Sequence, residues 1–387
     1  MNLLLRAATL DDLSELVELE SRCFEVARLG RPQFRWMMVA ANARLLVAEG
    51  DGRLLGYALV LFRQGSPLAR LHSIATDPRA RGNGIGQRLL DAAEASAREH
   101  DCAYLRLEVC PDDRLAVALF ERNGYSELEL LADYFPDHRE ALRMEKRVVR
   151  HPQALQRPVP YYHQTTAFTC GPACLLMAMG ALDGAVPGNH QDELRLWREA
   201  SSVHMPGGHG GCSPHGLALA AWRRGYRVRL QVSDQGPLFL DEVRNAGKRE
   251  VIRQAHADFC SALQDTDIEQ HLSDELDLHP LLSAGGQPLV LVDGHRRSRS
   301  RAPHWILVTD CDRNFVYLHD PNAERSLHRR AQDCQHVPVT HQEFERISRF
   351  GAGKQRAAVV LYPRTQSAIA RPAHRPQTFP TYPTRNA

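Results

Sequence analysis

Gln164-Thr165-Thr166-Ala167-Phe168-Thr169-Cys170-Gly171-Pro172-Ala173-Cys174-Leu175-Leu176-Met177 places a glutamine shortly before a cysteine, and that cysteine opens an apolar run. The run reads as a helix that begins at Cys170. The partial positive charge of a helix N-terminus stabilises a thiolate. The Gln164 amide can supply one donor to a developing oxyanion. Downstream come His304-Trp305-Ile306-Leu307-Val308 and Val316-Tyr317-Leu318-His319-Asp320-Pro321. These predict two short apolar strands, one opened by a histidine and the other closed by an aspartate. Nucleophile, base and orienter thus stand in the order Cys, His, Asp. Cys174, Cys260 and Cys311 are expected to be small buried hydrophobes.

The segment from Tyr161 to Leu182, together with the His304 and Asp320 strands, resembles the bacteriocin-processing, double-glycine-leader peptidase family of the papain superfamily. The resemblance spans residues 157–363. It implies an α+β papain-like cysteine peptidase fold, with Cys170 as nucleophile, His304 as base, Asp320 as orienter and Gln164 as oxyanion donor. Many members carry an aspartate directly before the cysteine, where this chain has Thr169. The best-known members are fused to a membrane exporter. Gly351-Ala352-Gly353-Lys354 is not the phosphate loop of such an exporter, because the first glycine is missing and Gln355 replaces the required hydroxyl.

At 387 residues the chain is too long for one ordinary core, so two domains and a tail are expected. The formal net charge of +2, with both signs interspersed, gives no electrostatic argument for a nucleic-acid partner or an anionic membrane. No apolar run reaches the length that spans a bilayer. The start, Met1-Asn2-Leu3-Leu4-Leu5-Arg6, reads as a strand and is too short for a signal sequence. Nine cysteines without regular spacing argue against a disulfide framework and for a reducing, cytoplasmic location.

The first half has its own pattern. Thr9 and Asp12 form a capping box before a helix with Leu10, Leu13, Leu16, Val17 and Leu19 on its apolar side. Arg44 to Glu49 and Arg53 to Phe62 predict strands joined by a hairpin at Gly50-Asp51-Gly52, and Leu71 to Thr76 predicts another. Then comes Asp77-Pro78-Arg79-Ala80-Arg81-Gly82-Asn83-Gly84-Ile85-Gly86, followed by a helix with Ile85, Leu89, Leu90, Ala93 and Ala97 at helical spacing. A glycine-rich turn between strand and helix exposes backbone N–H groups that can cradle a pyrophosphate, with Arg79 and Arg81 nearby.

Arg81-x-x-Gly84-x-Gly86, and the later run Asp113-x-x-Ala116-x-x-Leu119-Phe120 ending at Tyr125, resemble the GNAT acyltransferases, most closely the RimI-like protein N-acetyltransferases, over residues 1–149. That resemblance implies an α/β fold with a mixed seven-stranded sheet, splayed near its middle around acetyl-CoA. It places the pyrophosphate on Arg81, Gly82, Asn83, Gly84, Ile85 and Gly86 and the pantetheine along Ser73, Ile74 and Ala75. It also matches the general base to Glu108. The tyrosine that usually protonates the leaving thiolate is Phe120 here, which cannot donate a proton. A water, Tyr104 or Tyr125 would have to substitute.

Pro152, Pro158 and Pro160 mark residues 150–160 as a linker between a first domain, 1–149, and a second, 161–363. The His204-to-His215 run contains soft ligands at spacings that match no common zinc pattern, so no metal is expected there. Instead Ser213 should cap a helix that opens with Pro214 and closes at Gly225. The basic stretch Asp293 to Arg301 reads as a solvated surface loop, with a cationic rim selecting acidic peptides as the alternative. Residues 364–387 read as a disordered tail. The expected function is twofold: an N-acetyltransferase moving acetyl from acetyl-CoA to a peptide or small-molecule amine, and a cysteine peptidase. The alternative is an acyl-CoA-binding pseudo-acetyltransferase fused to a cysteine amidase or transpeptidase. A separately encoded peptide-modifying enzyme or exporter would be a natural partner.

Overall fold

The computed structural model describes residues 3–26, 28–39, 42–63, 66–149, 158–185, 188–201, 211–238, 240, 245–293, 303–323, 331–351 and 353–364. Most of the 150–160 linker, the 202–210 loop, the basic stretch 294–302 and the tail 365–387 lie outside them. Two seven-stranded sheets organise the chain.

The first sheet draws on β1 (Leu3–Ala7), α1 (Leu13–Cys23), α2 (Arg31–Val39), β2 (Ala43–Gly50), β3 (Arg53–Leu61), β4 (Leu68–Thr76), α3 (Ile85–Glu99), β5 (Tyr104–Val109), α4 (Arg114–Arg122), β6 (Ser126–Leu131) and β7 (Ala141–Arg147). Its strand order is β1-β2-β3-β4-β5-β7-β6. β4 and β5 pair in parallel, and the other neighbours are antiparallel. The expected mixed sheet is therefore present. The β2–β3 hairpin turns through Asp51 and Gly52, both at positive φ (51° and 72°), the backbone a two-residue hairpin turn requires. The expected capping box forms: Thr9 N–H donates to Asp12 Oδ2 at 2.7 Å. One 3₁₀ turn, Leu10–Asp12, then precedes α1. α3 buries Ile85, Leu89, Leu90, Ala93 and Ala97, the set its spacing predicts.

The parallel ladder between β4 and β5 runs from Leu68↔Tyr104 to Leu71↔Leu107. β4 continues to Thr76 and β5 to Val109 without pairing further. A parallel pair that stops while both strands continue leaves a cleft with exposed backbone on both walls. This is the expected splay, and Ser73, Ile74 and Ala75 lie on it.

The second part contains α5 (Cys170–Asp183), α6 (His190–Ala200), α7 (Pro214–Arg223), β8 (Tyr226–Val232), α8 (Ala246–Gln264), β9 (Glu269–Leu272), α9 (Leu278–Ser283), β10 (Gln287–Asp293), β11 (Pro303–Cys311), β12 (Phe315–His319), β13 (Val337–Thr340), α10 (His341–Ile347) and β14 (Ala357–Arg364). The strand order is β13-β12-β11-β10-β14-β8-β9. Strand β14 thus runs one residue beyond the expected boundary at 363.

α5 packs on β10 and β14, and α7 on β8 and β14. Nearly all of α5 is buried, including Cys174, Leu175, Leu176 and Met177, as its almost uninterrupted apolar run demands. Burial of each such large side chain contributes about 1.5–3 kcal/mol. Gly171 lets α7 approach: a Cβ there would stand 3.2 Å from Cys212 Cβ and Leu217 Cδ1. The cap expected at α7 forms, with His215 N–H donating to Ser213 Oγ at 3.2 Å and Gly225 at φ 89° beyond the helix end. Among the described residues no helix is long and apolar enough to cross a membrane.

Candidate active sites

Cys170 is the first residue of α5, and Thr169 is its N-cap. An N-cap threonine normally accepts a hydrogen bond from its own helix. Thr169 does not: its hydroxyl is 2.9 Å from the Thr166 hydroxyl and donates to the Thr166 carbonyl at 3.2 Å. The first-turn N–H groups, which have no intrahelical partner, are left to face the thiol and whatever binds beside it. Pro172 carries no N–H, so Cys170 and Gly171 provide the first two donors of the helix.

His304 and Asp320 meet the thiol from the sheet. His304 Nε2 lies 2.7 Å from Asp320 Oδ1. The other ring nitrogen is then the one left for the hydrogen bond between His304 and Cys170. The next residue, Trp305, donates its main-chain N–H to Cys170 Sγ at 3.4 Å. The Asp320 carboxylate also accepts from Asn322 N–H at 3.0 Å, and its carbonyl accepts from Tyr161 O–H at 2.8 Å.

Burial alone would push all these thiols up, and it does so for Cys174 and Cys212. At Cys170 burial is outweighed by the hydrogen bond from His304, the imidazolium charge and the Trp305 and Gly171 N–H groups, so its pKa lies below the ordinary thiol value. His304 moves the other way. Burial opposes its charge, but the charge and hydrogen bond of Asp320, and then Cys170, raise it to about 10. A lowered thiol beside a raised imidazole favours transfer of the thiol proton to the imidazole. The three residues predicted from the sequence therefore come together.

Gln164 is 5% exposed. Its Nε2 donates to Thr166 O at 2.8 Å, and its N–H donates to Pro321 O at 3.0 Å, which ties it to the residue after Asp320. The amide NH₂ has two hydrogens, so one remains for an oxyanion. The segment is fixed by a residue the sequence did not single out. Glu193 of α6 is fully buried, and its carboxylate accepts from Tyr162 O–H at 3.0 Å, Thr165 N–H at 2.9 Å and Thr165 O–H at 2.7 Å.

In the first sheet, Asp77 caps the turn after β4 by accepting from Arg79 N–H at 2.9 Å. Gly82 and Gly84 sit at φ 82° and 73°, and Gly84 is the N-cap of α3. A left-handed N-cap without a side chain leaves the first-turn N–H groups of α3 uncovered. Asn83 Nδ2 donates to Ala80 O at 3.0 Å, which folds the loop back on itself. Arg79, Arg81, Gly82, Asn83 and Gly84 are exposed, while Ile85 turns into the core. Donors, cations and open space thus coincide at a helix N-terminus beside the splay, and these residues fit the pyrophosphate of acetyl-CoA.

Glu108 occupies a different setting from the one expected. Its side chain is 4% exposed. Oε2 accepts from Arg70 Nε and Oε1 from Arg143 Nε, both at 2.8 Å. Each carboxylate oxygen of Glu108 thus accepts from one guanidinium group, and the residue bridges β4 and β7. Tyr104 is the first residue of β5 and opposes Leu68, at the end of the ladder away from the splay. It is out of place as a proton donor to the cofactor. Phe120 is 3% exposed and packs edge-on against Tyr125 at 5.6 Å between ring centroids. The splay instead borders a hydrogen-bonded chain in which the half-buried Ser73 meets two buried residues missed in the sequence, Tyr57 and Glu20. Tyr57 O–H donates to Glu20 and lies 2.7 Å from Ser73 Oγ, and burial raises the Glu20 carboxyl.

Residues 159–362 match the Peptidase_C39 like family, and residues 13–125 match the acetyltransferase (GNAT) family. An uncharacterized N-acetyltransferase of Methanocaldococcus jannaschii is 30% identical over 146 residues, covering 38% of this chain and 92% of that protein. A putative ribosomal protein bS18-alanine N-acetyltransferase of Bacillus subtilis is 27% identical over 135 residues, 35% of this chain and 88% of its own length. The crystal structure of the ribosomal-protein-S18-alanine N-acetyltransferase from Escherichia coli aligns with 22% identity and a TM-score of 0.36, covering 40% of this chain and 99% of that one. The chain is an enzyme, and it belongs to the Peptidase_C39 like family through residues 159–362 and to the acetyltransferase (GNAT) family through residues 13–125.

Proposed function

We propose that the chain is bifunctional: its first domain transfers acetyl from acetyl-CoA to a peptide or small-molecule amine, and its second is a papain-like cysteine peptidase. The observation that carries the second half is the Cys170–His304–Asp320 arrangement, with a lowered thiol and a raised imidazole. The Cys170 thiolate attacks a peptide carbonyl, and the carbonyl pair moves to oxygen. The Cys170 N–H and the Gln164 amide hold that oxyanion. His304 gives its proton to the leaving amine, which leaves a thioester on Cys170. His304 then takes a proton from water as the water attacks, and the acid and thiol are regenerated. Asp320 holds the imidazole so that one nitrogen always faces the sulfur. In the first domain the 81–86 loop binds pyrophosphate and the Ser73–Ala75 edge of the splay takes the pantetheine.

The test uses the full chain, a library of peptides and mass spectrometry, with and without acetyl-CoA. Cys170→Ser should end peptide cleavage and leave acetylation and acetyl-CoA binding intact. Cleavage undiminished by that substitution would refute the peptidase reading. No binding of acetyl-CoA by the wild-type chain would refute the other half.

A further inference from the structure

We propose that His215, His256 and Cys260 form a binding site for a borderline divalent cation, zinc foremost, that ties α8 to the start of α7. Their ligand atoms lie within 4.8 Å of one another. His256 Nε2 and Cys260 Sγ are already 3.4 Å apart, and the i, i+4 spacing puts both on one face of α8. Around tetrahedral zinc, with bonds of about 2.0–2.3 Å, neighbouring ligands stand about 3.3–3.8 Å apart. The cluster therefore needs only a contraction of about 1 Å on its widest side. His256 Nε2 donates to the main-chain carbonyl of Gln235 at 2.8 Å and would give up that hydrogen bond on binding the ion.

The donor set is chemically consistent with zinc. Two imidazoles and a thiolate favour zinc, cobalt or copper over magnesium or calcium. His215 is 5% exposed, and burial, then the neighbouring His256, lower its pKa to about 4, so it is neutral at neutral pH. Ser213 Oγ stands 3.4 Å from His215 Nδ1, which leaves Nε2 as the nitrogen without that partner. The Cys260 thiol is held up by burial and would give up its proton to the solvent as the sulfur–metal bond forms.

The fold supplies the reason for such a tie. α8 has 19 residues, yet Ile252 and Leu263 are its buried ones. The half-buried Phe259 and Ala262 add to this packing against the core. Its partner turn matters to the thiol site: Cys212, three residues before His215, packs against Gly171, and its carbonyl accepts from Trp305 Nε1 at 3.2 Å. Of the contiguous His204-to-His215 run, in which no metal was expected, His215 joins the cluster. The informative spacing, His256-x-x-x-Cys260, lay on another helix.

The test uses full-length protein carrying Cys170→Ser, which removes the other thiol–imidazole pair. Zinc titration by calorimetry should give one ion per chain, with a heat that varies with the buffer's ionisation enthalpy because the thiol proton is released. Cobalt should give a thiolate charge-transfer band. Adding Cys260→Ala should abolish the band, and His256→Gln should abolish stoichiometric binding, with circular dichroism showing each variant folded. His204→Ala with His209→Ala should leave binding unchanged. Absence of stoichiometric zinc, persistence of the band in Cys260→Ala, or its loss in the His204/His209 variant would each overturn the assignment.

Discussion

The main-chain N–H of Trp305 donates to Cys170 Sγ, so the strand that presents His304 also supplies a fixed donor to the sulfur it serves. β11 cannot shift along its neighbours without losing both. A one-residue slip would turn His304 to the opposite face, and β11 is pinned against β10 from Leu289↔Leu307 to Asp293↔Pro303. The chemistry of the site is therefore written into sheet register. The charge state of the pair follows from this, and it can be measured.

The ion pair should show itself as thiol reactivity at low pH. His304 is raised from 6.5 to about 10, so its contribution to stability is fully present below about pH 6.5 and is lost as pH rises through about 10. Cys170 is lowered from 9.0, so its contribution is present above pH 9.0 and is lost as pH falls through its own depressed value. Between those limits the thiolate and imidazolium coexist. An ordinary thiol at pH 6 is on the order of 10⁻³ thiolate. Iodoacetamide at pH 6 should therefore label Cys170 far ahead of every other cysteine, with peptide mapping as the readout. His304→Ala should erase the advantage. Labelling of Cys170 no faster than the half-buried Cys23, Cys110, Cys260 and Cys311 in the wild type would show that the pair is not ionised.

Gln164 and Glu193 should separate cleanly in kinetics. Gln164→Ala removes an oxyanion donor, and such a loss costs about 10²–10³ in kcat. The rate of Cys170 labelling should not change, because the thiolate does not depend on the amide. Glu193→Gln leaves the fold's volume intact but turns an acceptor of Thr165 N–H and two hydroxyls into a mixed donor and acceptor. It should lower kcat through misplaced Gln164, and the double variant Gln164→Ala/Glu193→Gln should be no slower than Gln164→Ala. An additive loss would mean that Glu193 acts elsewhere.

Acetyl-CoA binding should depend on the backbone of the 81–86 loop as well as on its charge. Arg81→Glu should weaken binding by about 1.5–3 kcal/mol, the range of a charge-assisted contact. Gly84→Ala places a Cβ at φ 73°, which costs about 1–2 kcal/mol where the loop is held in shape. No heavy atom lies within 4 Å of that Cβ, so the loss would come from backbone strain and not from a clash. Calorimetry on both variants checks this; unchanged affinity in both would move the cofactor off the loop.

How much of this could be read from the chain depends on how local the signal is. The α7 cap at Ser213, the loop ahead of α3 and the apolar run of α5 are each written within a few consecutive residues, and each formed as expected. Cys170, His304 and Asp320 could be singled out because the first opens the apolar run of α5 and the other two stand at the ends of apolar strands. Glu193 and Glu108 could not be placed the same way. Whether a carboxylate is buried under two hydroxyls or clamped by two arginines depends on partners tens of residues away: Arg70 for Glu108, and Thr165 for Glu193. Glu20, Tyr57 and Ser73 belong to three different elements, and nothing in the spacing joins them.

The setting of Phe120 sharpens the expectation about acid catalysis. Phe120→Tyr would restore the hydroxyl found in the related acetyltransferases. Phe120 is 3% exposed and packed against Tyr125, so in the cofactor-free protein the new hydroxyl would be buried without water. An unsatisfied buried hydroxyl costs about 1–3 kcal/mol. If the hydroxyl is aimed at the cofactor's sulfur, acetyl-CoA supplies its partner, and the lost stability should return when acetyl-CoA is added. The acetylation rate should then rise, by up to the 10²–10⁴-fold that general acid groups contribute. Glu108→Gln should weaken the Arg70 and Arg143 ion pairs and lower thermal stability, with a smaller effect on the acetylation rate than removal of a base would have. Thermal melts with and without acetyl-CoA, alongside acetylation rates on a peptide amine, separate these outcomes. A Phe120→Tyr protein that stays destabilised with acetyl-CoA bound and gains no rate would show that the hydroxyl points into the core and that the proton reaches the thiolate by another route. A collapse of acetylation in Glu108→Gln at unchanged stability would return Glu108 to the role of base.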